Sequence, residues 1–386
     1  MIYYFYYPKN ETTGANLYYS YISQLLDKTK GSKPIRNFWS FTKLGIKQLQ
    51  DNDVLITNVG SYAYIFHYLR QMLNKRFRIV RDVQATLHSS YIFQELMCSC
   101  FIQPRDKVLF PSNYTREFYI RLFEHINYEN SFVCYPILGS FPNIKKRTRG
   151  RFIGFLGRAS REKNFHQLIN IALELKEPVL VAGELKFPNS ELPSNMRYLG
   201  TIPYNKVWNF LAKLRVLIFP STANIESLGR VLLEANHLGI PTIAADFGAS
   251  PELSQNLVPV SFPHREIELV HNHPMACIDE SVLLEKLNDT KGLKLGSNNA
   301  YKDHEEKFKH ILKNTQPSEY EYKLTASVRD FIANSKIYIN QEYSMNCIDA
   351  IEVSIKLLKK EDITNIGWAA HNISEPLSFI PKWNLC

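Results

Sequence analysis

The chain has 386 residues, long enough to bury substantial cores and most naturally divided between two domains. Apolar residues make up 45% and charged residues 22%, a globular balance in which the longest apolar runs fall far short of a bilayer span. The formal charge of +9 suits an anionic partner, and six scattered cysteines without a Cys-x-x-Cys pair fit reduced thiols in a cytoplasmic protein. Met1 is followed by no basic region with a cleavage site.

The first predicted strand runs from Tyr3 to Tyr7, opening at residue two, and Pro8 ends it. A polar loop, Lys9 to Thr13, leads to Gly14 and to a helix marked by Leu17, Tyr18, Tyr21, Ile22, Leu25 and Leu26. Strand, glycine-bearing loop and helix match a phosphate site in outline, but a single glycine, Gly14, is a weak motif and fits a plain turn better. Between Asp27 and Val54 the pattern reads as abbreviated. A strand at Val54 to Thr57, a helix at Tyr62 to Leu73 and a strand at Phe77 to Arg81 follow. The next loop carries Asp82 and His88, and helical spacing resumes from Tyr91 to Met97. Lys107 to Phe110 is a strand, Ser112 the N-cap of the helix after it, and Phe132 to Tyr135 the last strand of this half. Pro136, Gly139, Pro142 and a basic run (Lys145, Lys146, Arg147, Arg149, Arg151) mark a linker and hinge.

Phe152 to Leu156 opens the second half as a buried-type strand, followed by Gly157-Arg158 and, after Arg161, Lys163-Asn164 before a helix through Leu175. Two cations at the carboxyl end of a strand can offset a diphosphate. Val179 to Ala182 is a strand with a Gly183-Glu184 turn, and Val207, Phe210 and Leu211 mark a helix after the Met196 to Pro203 segment. A strand at Arg215 to Phe219 is ended by Pro220, and a polar loop from Ser221 to Glu226 enters a helix whose apolar face is Leu228, Val231, Leu232 and Ala235. Gly239 and Pro241 end that helix before a strand at Thr242 to Ala245. Glu226 and Glu234, eight residues apart, are expected on roughly one side of it. Asp246 to Glu252 is a glycine-bearing turn. Beyond Ser261 there are helical periods near Val282 to Leu287, Glu305 to Leu312 and Leu324 to Ile332. His264, His271, His273 and His304 lack metal-site spacing. The tail from Glu361 to Cys386 is apolar enough to pack on something.

The run from Pro220 to Ile243, with Glu226, Gly229, the Glu234-Ala235 pair and Gly239-Ile240-Pro241, resembles the Glu-x7-Glu signature of retaining glycosyltransferases of family 4. The likeness is strong from Phe152 to Glu252 and weak in the first half, with Asn164 and Thr13 standing where glycines are usual. It implies the α/β GT-B fold, two Rossmann-like domains with parallel sheets facing an interdomain cleft. Residues 1–144 would be the acceptor-side domain, 145–335 the nucleotide-sugar domain, and 336–386 a helix and tail crossing back. The resemblance gives Arg158 and Lys163 to the donor diphosphate with Gly14, and the backbone of Gly200, Thr201 and Ile202 to the base. Glu226 would hold the sugar hydroxyls, Glu234 the ribose, and Ser227, Leu228, Gly229 and Arg230 would line the donor. His88 would serve the acceptor side.

A nucleoside-diphosphate sugar, UDP- or GDP-linked, is then the donor, a glycan, lipid-linked or small-molecule hydroxyl the acceptor, and neither a metal nor another cofactor is called for. The cytoplasmic setting leaves open a peripheral contact at the inner face of a membrane. Nucleic acid is not expected, because the aromatics sit within strand and helix periods. No Gly-x-Gly-x-x-Gly turn follows a strand, which argues against a dehydrogenase. Two other readings are a binding protein that lost transfer and a sugar-nucleotide hydrolase or epimerase on the same scaffold. Nothing in the pattern sets an oligomeric state.

Overall fold

The computed structural model describes residues 1–8, 14–58, 63–84, 101–136, 150–222, 226–262, 273–296 and 304–319, with Glu95, Cys98, Ser99 and Leu269–Val270. His88, the Lys145 to Arg149 run and everything from 320 onward lie outside them, as do the expected helices at Tyr91 to Met97 and Leu324 to Ile332 for the most part.

Among the described residues two six-stranded sheets, each parallel throughout, form the body of the molecule, beside two short antiparallel pairs (Val260–Ser261 with Cys277–Ile278, Leu269–Val270 with His273–Pro274). The first comprises β1 (Ile2–Phe5), β2 (Ser32–Ile35), β3 (Val54–Asn58), β4 (Arg78–Asp82), β5 (Lys107–Phe110) and β6 (Ser131–Val133), in the order β2-β1-β3-β4-β5-β6. The interval between Asp27 and Val54 is therefore not abbreviated: it contributes β2 and a helical stretch over Phe38–Gln48. Ser-Lys-Pro-Ile has no apolar alternation to announce a strand. Pro34 is accommodated because β2 is an edge, where a missing N–H breaks no central ladder.

β4 is buried along its whole length although it carries three charged residues. Parallel strands covered on both faces normally read as apolar runs. Here the Arg81 charge is matched within the fold, Arg81 meeting Glu95 at 2.5 Å and Glu95 meeting His125 at 3.1 Å. Nearby, Arg70 forks onto both Asp106 oxygens at 2.6 and 2.7 Å.

The second sheet comprises β7 (Phe152–Leu156), β8 (Val179–Ala182), β9 (Met196–Tyr198), β10 (Leu214–Phe219), β11 (Thr242–Ala245) and β12 (Asn256–Val258), in the order β12-β11-β10-β7-β8-β9. Along β10 the side chains alternate between two cores: Leu217 and Phe219 join Leu232 and Trp208 on one face, Val216 and Ile218 join Phe165 and Leu168 on the other. The chain runs outward from β7 through β8 and β9, then returns to the opposite side of β7 as β10. That reversal opens a crevice beyond the carboxyl ends of β7 and β10, where such sheets bind ligands.

The Arg230–His237 helix starts later than the apolar spacing suggests, because Gly229 is its N-cap at φ 82°. The buried face is accordingly Leu232, Leu233, Ala235 and Asn236, while Val231 is only partly covered and Leu228 packs from the loop before the helix.

The His304–Lys313 helix falls within the segment expected to belong to the second domain, yet it packs on the first. Phe308, Ile311 and Leu312 enter the core of Tyr4, Tyr18, Leu26 and Val80. The Arg78 guanidinium donates to the carbonyls of Ile311 and Leu312, satisfying groups a helix end leaves open. The chain thus returns to the first sheet before residue 336, earlier than its sequence suggests. Among the described residues no helix is long and apolar enough to cross a membrane.

Candidate functional site

The residues after β7 and β8 form a tight pair of turns. Gly157 N–H donates to Ala182 O at 3.0 Å, and Ala159 N–H to Glu184 O at 2.7 Å. Gly183, at φ 128°, lies so close that a Cβ on it would stand 1.9 Å from Gly157 O. Arg158 projects half-exposed from this junction, its Nη1 3.1 Å from Glu162 Oε1 and its Nε 3.4 Å from Glu184 Oε2. A one-turn helix at Arg161–Lys163 follows, and Asn164 takes φ 51° and ψ 30°. Asparagine thus occupies the left-handed region that a glycine would fill, at modest steric cost. Its buried Nδ2 donates to Pro220 O at 3.1 Å, Thr222 Oγ1 at 2.7 Å and Ala276 O at 3.1 Å. The cationic turn is thereby fastened to the segment that follows β10.

That segment brings Glu226 to Lys163. Its Oε2 accepts from Lys163 Nζ, while Oε1 accepts from Gly229 N–H at 2.9 Å. Glu226 lies before the helix rather than on it, so Glu226 and Glu234 are not two anions on one helical face. Gly229 has no room for a side chain, since a Cβ would stand 2.8 Å from Phe219 Cζ. Burial lowers the Lys163 ammonium to about 8, with Glu162 opposing the shift and Arg158 adding to it. The Glu226 carboxylate on Nζ favours the charged form.

Glu234 is buried and bound on one side only. Its Oε1 accepts from Arg230 Nε at 3.0 Å and from Tyr204 OH at 3.1 Å, and Arg230 Nη2 donates to Tyr204 OH at 3.2 Å. Burial raises the Glu234 carboxyl above its ordinary range, with Arg230 and Tyr204 working the other way. The guanidinium lies over two rings, 5.6 Å from the centroid of Tyr204 and 5.7 Å from that of Tyr21 in the first domain.

The two halves meet at this loop. Ser227 O accepts from Ser112 Oγ at 2.8 Å and Thr115 Oγ1 at 3.2 Å, and Ser227 Oγ donates to Gln84 O at 3.1 Å. Ser112 is the N-cap expected for the Asn113–Leu122 helix, accepting from Thr115 N–H. Glu252 completes that helix start from the opposite domain. It accepts from Asn113 N–H at 3.0 Å, Asn113 Nδ2 at 3.2 Å, Tyr114 N–H at 2.7 Å and Tyr135 OH at 2.5 Å. An anion there also meets the positive end of the helix dipole. Glu252→Ala should therefore loosen the interdomain contact, lowering the thermal midpoint by the equivalent of about 1–3 kcal/mol and broadening the small-angle scattering envelope. Unchanged stability and scattering would show the contact to be incidental.

Of the other expected site residues, Gly14 begins the Gly14–Asp27 helix and Gly200 O accepts from Gly183 N–H at 3.0 Å. Thr201 is exposed and Ile202 partly buried, the latter against the core beneath the Arg230–His237 helix. The Leu228 side chain belongs to that core, leaving only its backbone for a ligand. Asp82, at the carboxyl end of β4, is buried and bound at Oδ1 by Gln84 Nε2 at 2.6 Å, and burial raises its carboxyl to about 6. Among the described residues no group of three metal-ligating side chains gathers. Tyr204, Tyr21 and Glu252 are the contributors that the sequence pattern does not single out. Only Glu252, closing a glycine-bearing turn after Pro251, carries any local signal.

The family model of glycosyl transferases group 1 matches residues 140–269, which hold β7 to β12 and both glutamates. No curated protein sequence matches the chain. Among solved structures, Anabaena Alr3699/HepE in complex with UDP is similar over 81% of this chain and 97% of its own, at 15% identity and TM-score 0.55. The same protein in complex with UDP and glucose gives TM-score 0.52 at 15% identity and the same coverage. Sucrose-phosphate synthase (tll1590) from Thermosynechococcus elongatus is similar over 81% of this chain and 94% of its own, at 14% identity and TM-score 0.51. With two parallel Rossmann-like sheets meeting at a charged crevice, the chain has the GT-B fold, and its second sheet carries the glycosyl transferases group 1 match.

Proposed function

We propose that the chain transfers a sugar from a nucleoside-diphosphate sugar to a hydroxyl acceptor with retention of anomeric configuration. The observation that carries this reading is the convergence of Arg158, Lys163 and Glu226 at the crevice between β7 and β10. Arg158 and Lys163 would offset the diphosphate charge and stabilise the departing nucleotide. Lys163 and Glu226 hold each other. Donor binding would give the ammonium a phosphate and the carboxylate a sugar hydroxyl. Glu234 would bind the ribose and the backbone at 200–202 the base. Because the protein supplies the cations, the reading includes independence from a divalent metal.

UDP is the favoured nucleotide, since the structurally similar HepE was captured with UDP and with UDP-glucose, with GDP as the alternative. A glycan, a lipid-linked sugar or a small metabolite is the acceptor, and His88 would serve it. The reading keeps the first sheet as the acceptor-side domain and the second as the nucleotide-sugar domain. A cytoplasmic setting goes with this function, and a peripheral contact at the inner face of a membrane stays open.

Incubation with a panel of UDP- and GDP-sugars, following nucleotide release and sugar adducts separately, tests the proposal. Release with an adduct supports transfer, release without one points to hydrolysis, and binding without release to a non-catalytic protein. Arg158→Ala should weaken UDP binding and transfer together, because ground and transition states both carry the charge it meets. A second expectation concerns pH. A lysine lowered to about 8 is charged below that value and loses its charge above it, so UDP affinity should fall as pH rises through about 8. The same titration with Lys163→Met should be flat over that range, and an unaltered slope in the variant would remove Lys163 from the phosphate site.

A further inference from the structure

We infer that only one carboxylate oxygen of Glu234 is available to the ribose, because Arg230 and Tyr204 occupy the other, so the two ribose hydroxyls are read unequally. This rests on the nucleotide site proposed above. A carboxylate oxygen has two acceptor directions, and Oε1 already receives Arg230 Nε at 3.0 Å and Tyr204 OH at 3.1 Å. Oε2 has no hydrogen bond within the described residues. Two adjacent ribose hydroxyls approach from one side, whereas the lone pairs on a single oxygen diverge, so one hydroxyl aligns well and its neighbour poorly.

Arg230 cannot readily release Oε1 to a ligand. Its guanidinium lies over the rings of both Tyr204 and Tyr21, and its Nη2 is committed to Tyr204 OH at 3.2 Å. The side chains of Arg230 and Glu234 are only 13% and 5% exposed, so water offers little competition for the pair. Arg230 is thus a positioning residue: it fixes which oxygen meets the nucleotide without touching the nucleotide itself. Tyr21 makes the first domain a participant in nucleoside recognition.

The test is calorimetric affinity of the full chain for UDP, 2′-deoxy-UDP and 3′-deoxy-UDP. The parent should lose about tenfold with one deoxy analogue, the scale of one charge-assisted hydrogen bond, and less than about twofold with the other. Arg230→Gln and Tyr204→Phe, each removing one donor from Oε1, should bring the two losses closer together. That ratio is a readout a merely structural role would not move. Equal losses for both analogues in the parent would overturn the inference while leaving the nucleotide site standing. Failure of both UDP and GDP to bind would overturn the site and the inference with it, and binding of GDP alone would move the same comparison to the deoxy analogues of GDP. Should Arg230→Gln fail to fold, Tyr204→Phe, which keeps the ring under the guanidinium, decides the question. Unchanged selectivity in Tyr204→Phe would then count against the inference.

Discussion

Glu226→Gln is expected to depress sugar transfer by about a hundredfold or more while leaving UDP affinity at neutral pH equal or improved. The amide preserves the shape and can still accept from Gly229 N–H through its oxygen, so the loop that starts the helix should keep its course. What disappears is the negative charge facing Lys163. The freed ammonium then meets the diphosphate without first giving up a partner, which favours nucleotide binding. The sugar loses a charged acceptor, which penalises the transition state more than the bound nucleotide. Paired measurements of UDP affinity and donor turnover separate the effects. Full turnover at unchanged affinity would defeat the proposed site.

The largest loss of stability is expected from Gly183→Ala. Two penalties act together: the backbone at φ 128° disfavours any Cβ, and that atom would stand 1.9 Å from Gly157 O. The obstacle is backbone, not a side chain able to swing aside, so β7 and β8 must part at their carboxyl ends. The cost should exceed about 3 kcal/mol. The displacement reaches Arg158, the next residue after Gly157, so UDP affinity should fall in whatever protein still folds. Thermal unfolding and calorimetry report the two losses. A midpoint shift worth less than about 0.5 kcal/mol would show that the turns are less constrained than their spacing indicates.

Strands bounded by prolines and glycines were legible in the sequence almost to the residue, as at Lys107–Phe110, Phe152–Leu156, Val179–Ala182 and Thr242–Ala245. In these, period and punctuation agree. Legibility failed where tertiary context overrides local pattern. β2 contains a proline that only an edge tolerates; β4 is legible as a strand to within one residue, but the partners of its arginines, Glu95 and Ile311–Leu312, are not. The site divides in the same way. Arg158, Lys163, Glu226 and Glu234 stand out by residue type and spacing. Their connections do not: Lys163 meets Glu226 across 63 positions, Tyr204 meets Glu234 across 30, and Glu252 caps a helix 139 positions away. Spacing announces neighbours on one element, whereas these contacts depend on where separate elements come to rest.

The return of the His304–Lys313 helix to the first sheet bears on how the protein can be taken apart. Phe308, Ile311 and Leu312 are at most 3% exposed, all against residues of the first sheet and its helices. Each such side chain contributes roughly 1.5–3 kcal/mol on burial, and Arg78 would lose its carbonyl acceptors as well. A fragment ending near residue 144 would present this face bare, and it should aggregate unless the helix is supplied as a peptide in trans. Nor would a single protease nick in the linker free the two halves, because the polypeptide bridges them a second time before residue 304. The amino-terminal half is thus a discontinuous folding unit, completed only when synthesis has passed through the other.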